Sequence, residues 1–351
     1  MLTCNVSWFK FKQIKSGSLK PWKFDMHPKI LASEVADIFG VTVQAIHKQL
    51  KTKKLSYSKQ NNRVYFGHDT ALQVFADYKQ PCKIFVFALV KGGVGKSTLC
   101  REVAIRSTLL GKKVLIIELD HQGNLTKSFN INAHEYPVLI DLLENPSINI
   151  KKAIANIIPG LDILPSRYDN SILDNFIMLK SMPLKKVIKP KIDLLKKNYD
   201  LILIDCPPSL GQAVASAVLC ADLIILPTTP CDFSDSGIAI TVREIRRMIE
   251  DYDAVEIPMK IVLNKFDNRE KDSRDTYANL IKSEEYGKLI VGSYIRKCKE
   301  IETYRRRKST IFESTSNIAG REDIDVLTKD LLNMNNLKND AVRELDIELE
   351  K

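Results

Sequence analysis

No stretch of the sequence approaches the ~18 consecutive apolar residues that a membrane-spanning helix needs, and no basic N-terminal segment leads into an apolar one. A spanning helix and a secretory signal are therefore not expected. The cysteines (Cys4, Cys82, Cys100, Cys206, Cys220, Cys231 and Cys298) stand alone, with no C-x-x-C pair among them. That scatter argues against a zinc site, an iron–sulfur cluster or a disulfide framework, and for reduced thiols in a cytoplasmic protein. Low-complexity tracts and internal repeats are also missing. What is present is ordinary globular material. The 351 residues are 44% apolar and 27% charged, enough for two domains with substantial cores.

Basic residues outnumber acidic ones by 53 to 43, and the excess is unevenly placed. Residues 1–80 hold 13 Lys and Arg against 5 Asp and Glu, and residues 288–308 hold 8 against 2. Residues 321–351 reverse the balance, with 5 against 9. Two separated basic zones fit a polyanionic partner, nucleic acid or an anionic membrane. Each zone alone is also what a solvated surface looks like.

Four segments follow from patterning. Residues 1–27 lack periodicity and carry both tryptophans, Trp8 and Trp22, as expected of an arm that docks on a partner subunit. Residues 28–80 are dominated by short helical patterns, and Pro81 marks a boundary because it forces its neighbour out of helical geometry. Beyond it, apolar runs alternate with helical stretches: Ile84–Val90, Val114–Leu119, Leu161–Leu164, Leu201–Ile204, Leu223–Leu226, Lys260–Leu263 and Leu289–Ile295. Such runs predict an α/β fold, a doubly wound, mostly parallel sheet spanning residues 83–335. A leucine-spaced helix begins near Ile324, and residues 336–351 form an acidic tail.

The first of these runs leads straight into Lys91-Gly92-Gly93-Val94-Gly95-Lys96-Ser97-Thr98 and then a helical stretch. Strand, glycine-rich loop and helix together make a phosphate cradle, because glycines let backbone N–H groups turn inward and the helix N-terminus adds positive potential. Lys96 is placed to reach the β- and γ-phosphates, and the Ser97 hydroxyl to ligate Mg²⁺. General P-loop spacing asks for glycine where Val90 stands. The loop instead resembles the deviant Walker A loop of the ParA/MinD ATPases, which drops that glycine and adds an early lysine, here Lys91.

Two further segments match the same family in order. VLIIELDHQGNLT, Val114–Thr126, resembles its second motif, and Asp120 falls on the aspartate that orients the attacking water. Glu118 and His121 depart from that motif's aspartate and proline. YDLILIDCPPSLG, Tyr199–Gly211, resembles the Walker B strand, and its Asp205 would hold Mg²⁺, most simply through a water. The resemblance covers roughly residues 83–320. It implies ATP and Mg²⁺ as ligands, residues 91–98 around the nucleotide, and a sandwich dimer in which Lys91 reaches the partner's phosphates. Asn264-Lys265-Phe266-Asp267 pulls the other way, since N-K-x-D is a guanine-selecting pattern. The resemblance implies adenine, with Asn264 near the base.

Ser33–Leu50, SEVADIFGVTVQAIHKQL, reads as two short helices capped by Ser33 and Thr42 around a turn at Gly40. Ala36 and Ile46 supply the small and apolar residues that helix-turn-helix packing wants. Gln44, Ala45, His47, Lys48 and Lys51 would then face a DNA major groove. Leu55–Tyr57 and Arg63–Phe66 would form a wing with Arg63 on it. A packed helical hairpin without a ligand is the plain alternative. A small N-terminal winged helix-turn-helix joined to this ATPase resembles the longer plasmid partition ParA proteins, whose module binds operator DNA as an autorepressor.

The resemblance thus implies a cytoplasmic, nucleoid-associated homodimer that partitions DNA with a ParB-type centromere-binding partner. Non-specific DNA contact is expected at Arg296, Lys297, Lys299, Arg305, Arg306, Arg307 and Lys308. A MinD-like membrane-surface ATPase would want a basic amphipathic C-terminal helix, whereas residues 321–351 are acidic. A nucleotide-switched transcriptional regulator without a segregation role stays open.

Overall fold

The computed structural model describes residues 26–230, 237–314, 316 and 318–334. The expected N-terminal arm (but for its last two residues), Cys4, Cys231 and the acidic tail lie outside the described residues. The described strands are β1 (Ile30–Leu31), β2 (Ser58–Gln60), β3 (Arg63–Phe66), β4 (Lys83–Phe87), β5 (Val114–Glu118), β6 (Ala155–Ile158), β7 (Leu161–Leu164), β8 (Leu201–Asp205), β9 (Leu223–Thr228) and β10 (Met259–Leu263). The helices are α1 (Ala32–Phe39), α2 (Val43–Thr52), α3 (His68–Val74), α4 (Lys96–Leu109), α5 (Asn124–Ser128), α6 (Leu139–Glu144) and α7 (Leu173–Leu179). They continue as α8 (Lys189–Leu195), α9 (Gln212–Val218), α10 (Gly237–Asp251), α11 (Lys271–Lys282), α12 (Lys299–Arg306) and α13 (Ala319–Leu331).

Strands β4 to β10 form one sheet in the order β10-β9-β4-β8-β5-β7-β6. Its strands are parallel, as the Val/Ile/Leu runs predict, except that β6 turns back antiparallel on β7. Strands β4, β5, β8 and β9 are buried along almost their whole length, so both faces of the sheet are covered. The chain leaves β4 toward β5 and leaves β8 toward β9 on the other side, which places a ligand crevice at their carboxyl ends.

Two strand expectations change. Leu289–Ile295 is not a strand; it runs beside β10 with isolated bridges at Ile261–Ile290 and Phe266–Arg296. Gly292 and Ser293 interrupt the run, and a glycine inside a strand leaves nothing to pack. The sequence pattern also misses β6, an edge strand of four residues with a bulge between Asn156 and Ile158. The turn before β7 depends on Gly160, whose φ is 79° and whose added Cβ would lie 2.3 Å from the His68 ring.

In the N-terminal unit, α1 and α2 meet at Gly40, which takes the left-handed conformation, and Thr42 accepts a hydrogen bond from the Ala45 N–H at 3.2 Å. Leu31, not Ser33, occupies the N-cap of α1; Glu34 compensates by accepting from the Leu31 N–H at 2.7 Å. The hairpin begins at Ser58 rather than Leu55, because Leu55 is buried and its N–H still closes the end of α2 on Leu50 O. Strand β3 pairs with β2 on one side and with β1 on the other.

This unit shares one hydrophobic core with the large sheet. Met26, Ile30, Val35, Phe39 and Phe75 belong to the same buried cluster as Ile105 and Leu109 of α4 and Leu327 of α13. Polar contacts reinforce the seam. His68 Nδ1 lies 2.9 Å from Thr108 O, Lys112 Nζ donates to Tyr78 O at 3.0 Å, and Arg321 pairs with Glu34 at 3.0 Å. Helix α4 is accordingly buried on all sides, charges included. Arg101 pairs with Glu102, Thr310 donates to Glu102 at 2.8 Å, and Arg106 donates to Asp325 at 2.7 Å.

Candidate active site

The loop between β4 and α4 holds Gly93 and Gly95 at φ of 78° and 98°. Gly95 has no room for a side chain, since a Cβ there would stand 2.2 Å from the Asn264 amide nitrogen. That amide donates to Val94 O at 2.8 Å, and its oxygen accepts from the Lys265 N–H at 2.9 Å. Lys265 Nζ donates to Gly93 O at 2.8 Å. Asn264 and Lys265, at the end of β10, therefore clamp the loop's backbone from outside. Asp267 is held by Arg269, whose Nη2 lies 2.7 Å from Oδ2 and Nε 2.9 Å from Oδ1, and those hydrogen bonds bring its pKa down to about 2. The four-residue pattern thus spends its polar groups on internal contacts.

Lys96 opens α4 and is buried, with Nζ donating to Leu89 O at 3.1 Å and Lys91 O at 3.0 Å. Burial lowers its pKa, while Asp205 works against that shift. Ser97 and Thr98 follow on the first turn, where N–H groups of the helix lack intrahelical acceptors. With Gly92, Gly93 and Asp120 they line a cleft of about 700 Å³.

Strand register sets the acidic side of the cleft. Asp205 ends β8 and pairs across the sheet with Glu118 of β5 and Phe87 of β4. Asp205 is fully buried, and neither carboxylate oxygen has a hydrogen-bond partner of sound geometry. Desolvation pushes its pKa up to about 7, with the Ser97 hydroxyl and Lys96 pulling it back. A carboxylate placed this way is a costly feature unless a cation restores its charge, and a hard divalent ion with oxygen ligands suits it. The donor set of Asp205 and Ser97 therefore fits Mg²⁺.

Glu118 has a different task. It accepts from the Leu125 N–H at 2.7 Å, the Thr126 N–H at 2.8 Å and the Thr126 hydroxyl. Burial, and then the neighbouring Asp205, push its pKa up to about 8. It thereby fastens the loop carrying Asp120 to the start of α5. Asp120 itself is partly exposed at the cleft and accepts from the Gln122 N–H at 3.0 Å. His121 lies beside it, its ring edge-on to Tyr168 at 5.8 Å. Lys91 is partly exposed.

The second basic zone divides once folded. Arg296 binds Asp323 and Glu322, Lys297 pairs with Glu270, and Arg305 pairs with Glu302. Lys308 Nζ donates to Lys127 O. Arg296, Arg305 and their neighbours Cys298 and Ile301 line the nucleotide-side cleft, a wall that sequence patterning does not reveal. Lys299, Arg306 and Arg307 are exposed. On α2, Gln44, Lys48 and Lys51 are exposed at helical spacing, Ala45 and His47 are half-buried, and Arg63 is exposed on the hairpin.

A family model described as an AAA domain matches residues 82–257. The virulence plasmid ParA family protein pGP5-D of Chlamydia psittaci is 30% identical, over 72% of this chain and 95% of its own length. The chromosome partitioning protein ParA of Caulobacter vibrioides is 28% identical, over 54% of this chain and 72% of its own. Among solved structures, an ATP complex of McdA from Cyanothece superposes with a TM-score of 0.63 at 21% identity, over 72% of this chain and 97% of its own, a likeness of fold.

Proposed function

The chain belongs to the ParA family of partition ATPases, and on that footing we propose that it hydrolyses ATP with Mg²⁺ to switch its own dimerisation and hold on DNA. The observation that carries this reading is Asp205, whose two buried oxygens lack hydrogen-bond partners one strand from the phosphate loop. Asp205 and Ser97 would hold Mg²⁺, which when bound would neutralise negative charge on the nucleotide's phosphates. Lys96 would exchange its two loop carbonyls for phosphate oxygens, gaining charge-assisted hydrogen bonds. The N–H groups opening α4 would face the same phosphates. Asp120, which accepts from the Gln122 N–H, would orient the attacking water. Lys91 would stabilise developing charge on a partner subunit's nucleotide, so that turnover waits for assembly.

In this reading residues 28–80 are a winged helix-turn-helix whose α2 enters the major groove of operator DNA, with Gln44, His47, Lys48 and Lys51 as contacts and the β2–β3 hairpin as wing. Lys299, Arg306 and Arg307, exposed on and beside α12, would touch DNA backbone without sequence preference. A ParB-type partner would trigger hydrolysis. No helix among the described residues is long and apolar enough to cross a membrane.

Asp120→Ala tests the hydrolytic assignment. It is expected to bind ATP and dimerise but to turn over at least about tenfold more slowly, because only water positioning is lost. Wild-type turnover in this variant would remove Asp120 from the mechanism. Base choice is tested by competition against a labelled ATP analogue. ATP is expected to displace it well and GTP poorly, since Asn264 and Asp267 are already engaged within the protein. The opposite ranking would make them guanine readers.

A further inference from the structure

A groove of about 520 Å³ lies at the amino ends of the sheet strands, opposite the phosphate loop. Lys113 precedes β5, Asp200 precedes β8, Lys79 lies in the connection to β4, and Lys53 ends α2. With Lys197 these residues line the groove. All four lysines are exposed. Among the described residues none of their ammonium groups takes part in an ion pair, in contrast to Arg296, Lys297 and Arg305. Asp200 is the acid in the lining, and it is occupied by tying strand ends together, accepting from the Lys113 N–H at 2.8 Å.

We propose that this groove takes the sugar–phosphate backbone of duplex DNA leading away from α2, so that one duplex contacts both the N-terminal unit and the ATPase core. Four lysines stand against one carboxylate, and they are assembled from residues 53 to 197, which only the shared core brings together. Lysine amines are point charges that suit phosphates and carry no base code. Single-stranded nucleic acid would want exposed aromatic faces for stacking. The aromatic residue here, Tyr199, is half-buried with its hydroxyl donated to Asp162 at 2.7 Å. Continuity with α2 favours a duplex, because Lys53 closes the helix whose exposed face carries Gln44, Lys48 and Lys51. The proposal rests on the reading of α2 as a groove-entering helix.

The test uses the full chain with ADP and a fluorescein-labelled random-sequence duplex, followed by anisotropy across a salt series. Combining Lys79→Gln, Lys113→Gln and Lys197→Gln is expected to flatten the log–log salt slope by about 2.7, at ~0.9 for each phosphate that a lysine no longer neutralises. Nucleotide affinity should stay unchanged, because the groove lies at the far end of the sheet from the loop. A second variant, Lys48→Gln with Lys51→Gln, probes α2 separately. An unchanged slope in the groove variant alone would overturn the groove and leave α2 standing. An unchanged slope in the α2 variant, with a flatter one in the groove variant, would overturn the reading of α2 and with it the continuous duplex path proposed here, leaving only a separate phosphate-binding surface. No change in either would overturn both.

Discussion

Replacing Lys96 with alanine is expected to lower nucleotide affinity by at least about a hundredfold, because two charge-assisted hydrogen bonds at ~1.5–3 kcal/mol each are lost. Lys265, the other lysine lining the cleft, is spent on Gly93 O. The loop also loses a brace, since Nζ joins Leu89 O to Lys91 O. Lys96→Met separates these effects by keeping the buried stem, and should bind as poorly as alanine while packing better. Equilibrium binding of a fluorescent ATP analogue, with thermal melting alongside, measures both. A fall of less than about tenfold would mean that backbone N–H groups and Mg²⁺ carry the phosphates without this lysine.

Removing residues 1–80 is expected to leave an ATPase core that melts at least ~10 °C lower or fails to fold, since each kcal/mol moves the melting point of such a domain by ~2–4 °C. The deletion strips Phe39, Phe75 and their neighbours from the outer side of α4. It also takes Glu34 and the Lys29 carbonyl from Arg321. Differential scanning of the truncated and full-length chains decides the matter. Melting points within a few degrees of each other would show that the unit is a removable appendage. The result also bears on DNA binding, because a deletion that unfolds the core cannot assign operator contacts to residues 28–80; point changes on α2 can.

The chemistry at the phosphate loop was legible in the sequence because it is local. Gly93, Gly95, Lys96 and Ser97 lie within five positions, and β4 and β8 announce themselves by unbroken apolar runs ending near the loop and Asp205. What stayed hidden depends on distant partners. Arg296 reads as a free cation until Asp323 arrives from α13, and Lys113 and Lys197 read as ordinary surface until the fold sets them beside Lys53. Asn264 and Asp267 look like base readers because spacing is silent about Val94 O and Arg269. Glu118 looks like a defect in a motif; its longer side chain instead reaches two backbone N–H groups of the following turn. Leu289–Ile295 has strand composition, yet Gly292 and Ser293 let it follow β10 without joining it.

That last segment has a counterpart at the opposite margin of the sheet, and together they constrain polymerisation. Beside β10, the N–H groups of Val291 and Ile295 already donate to Ile261 O and Leu263 O at 3.0 and 2.8 Å. At the other margin, β6 is four residues long and bulged, a poor template for another chain. Filament growth by strand addition is therefore closed off at both ends of the sheet. Contacts between molecules at these two margins must run through side-chain surfaces and can be undone without unpicking a β-ladder.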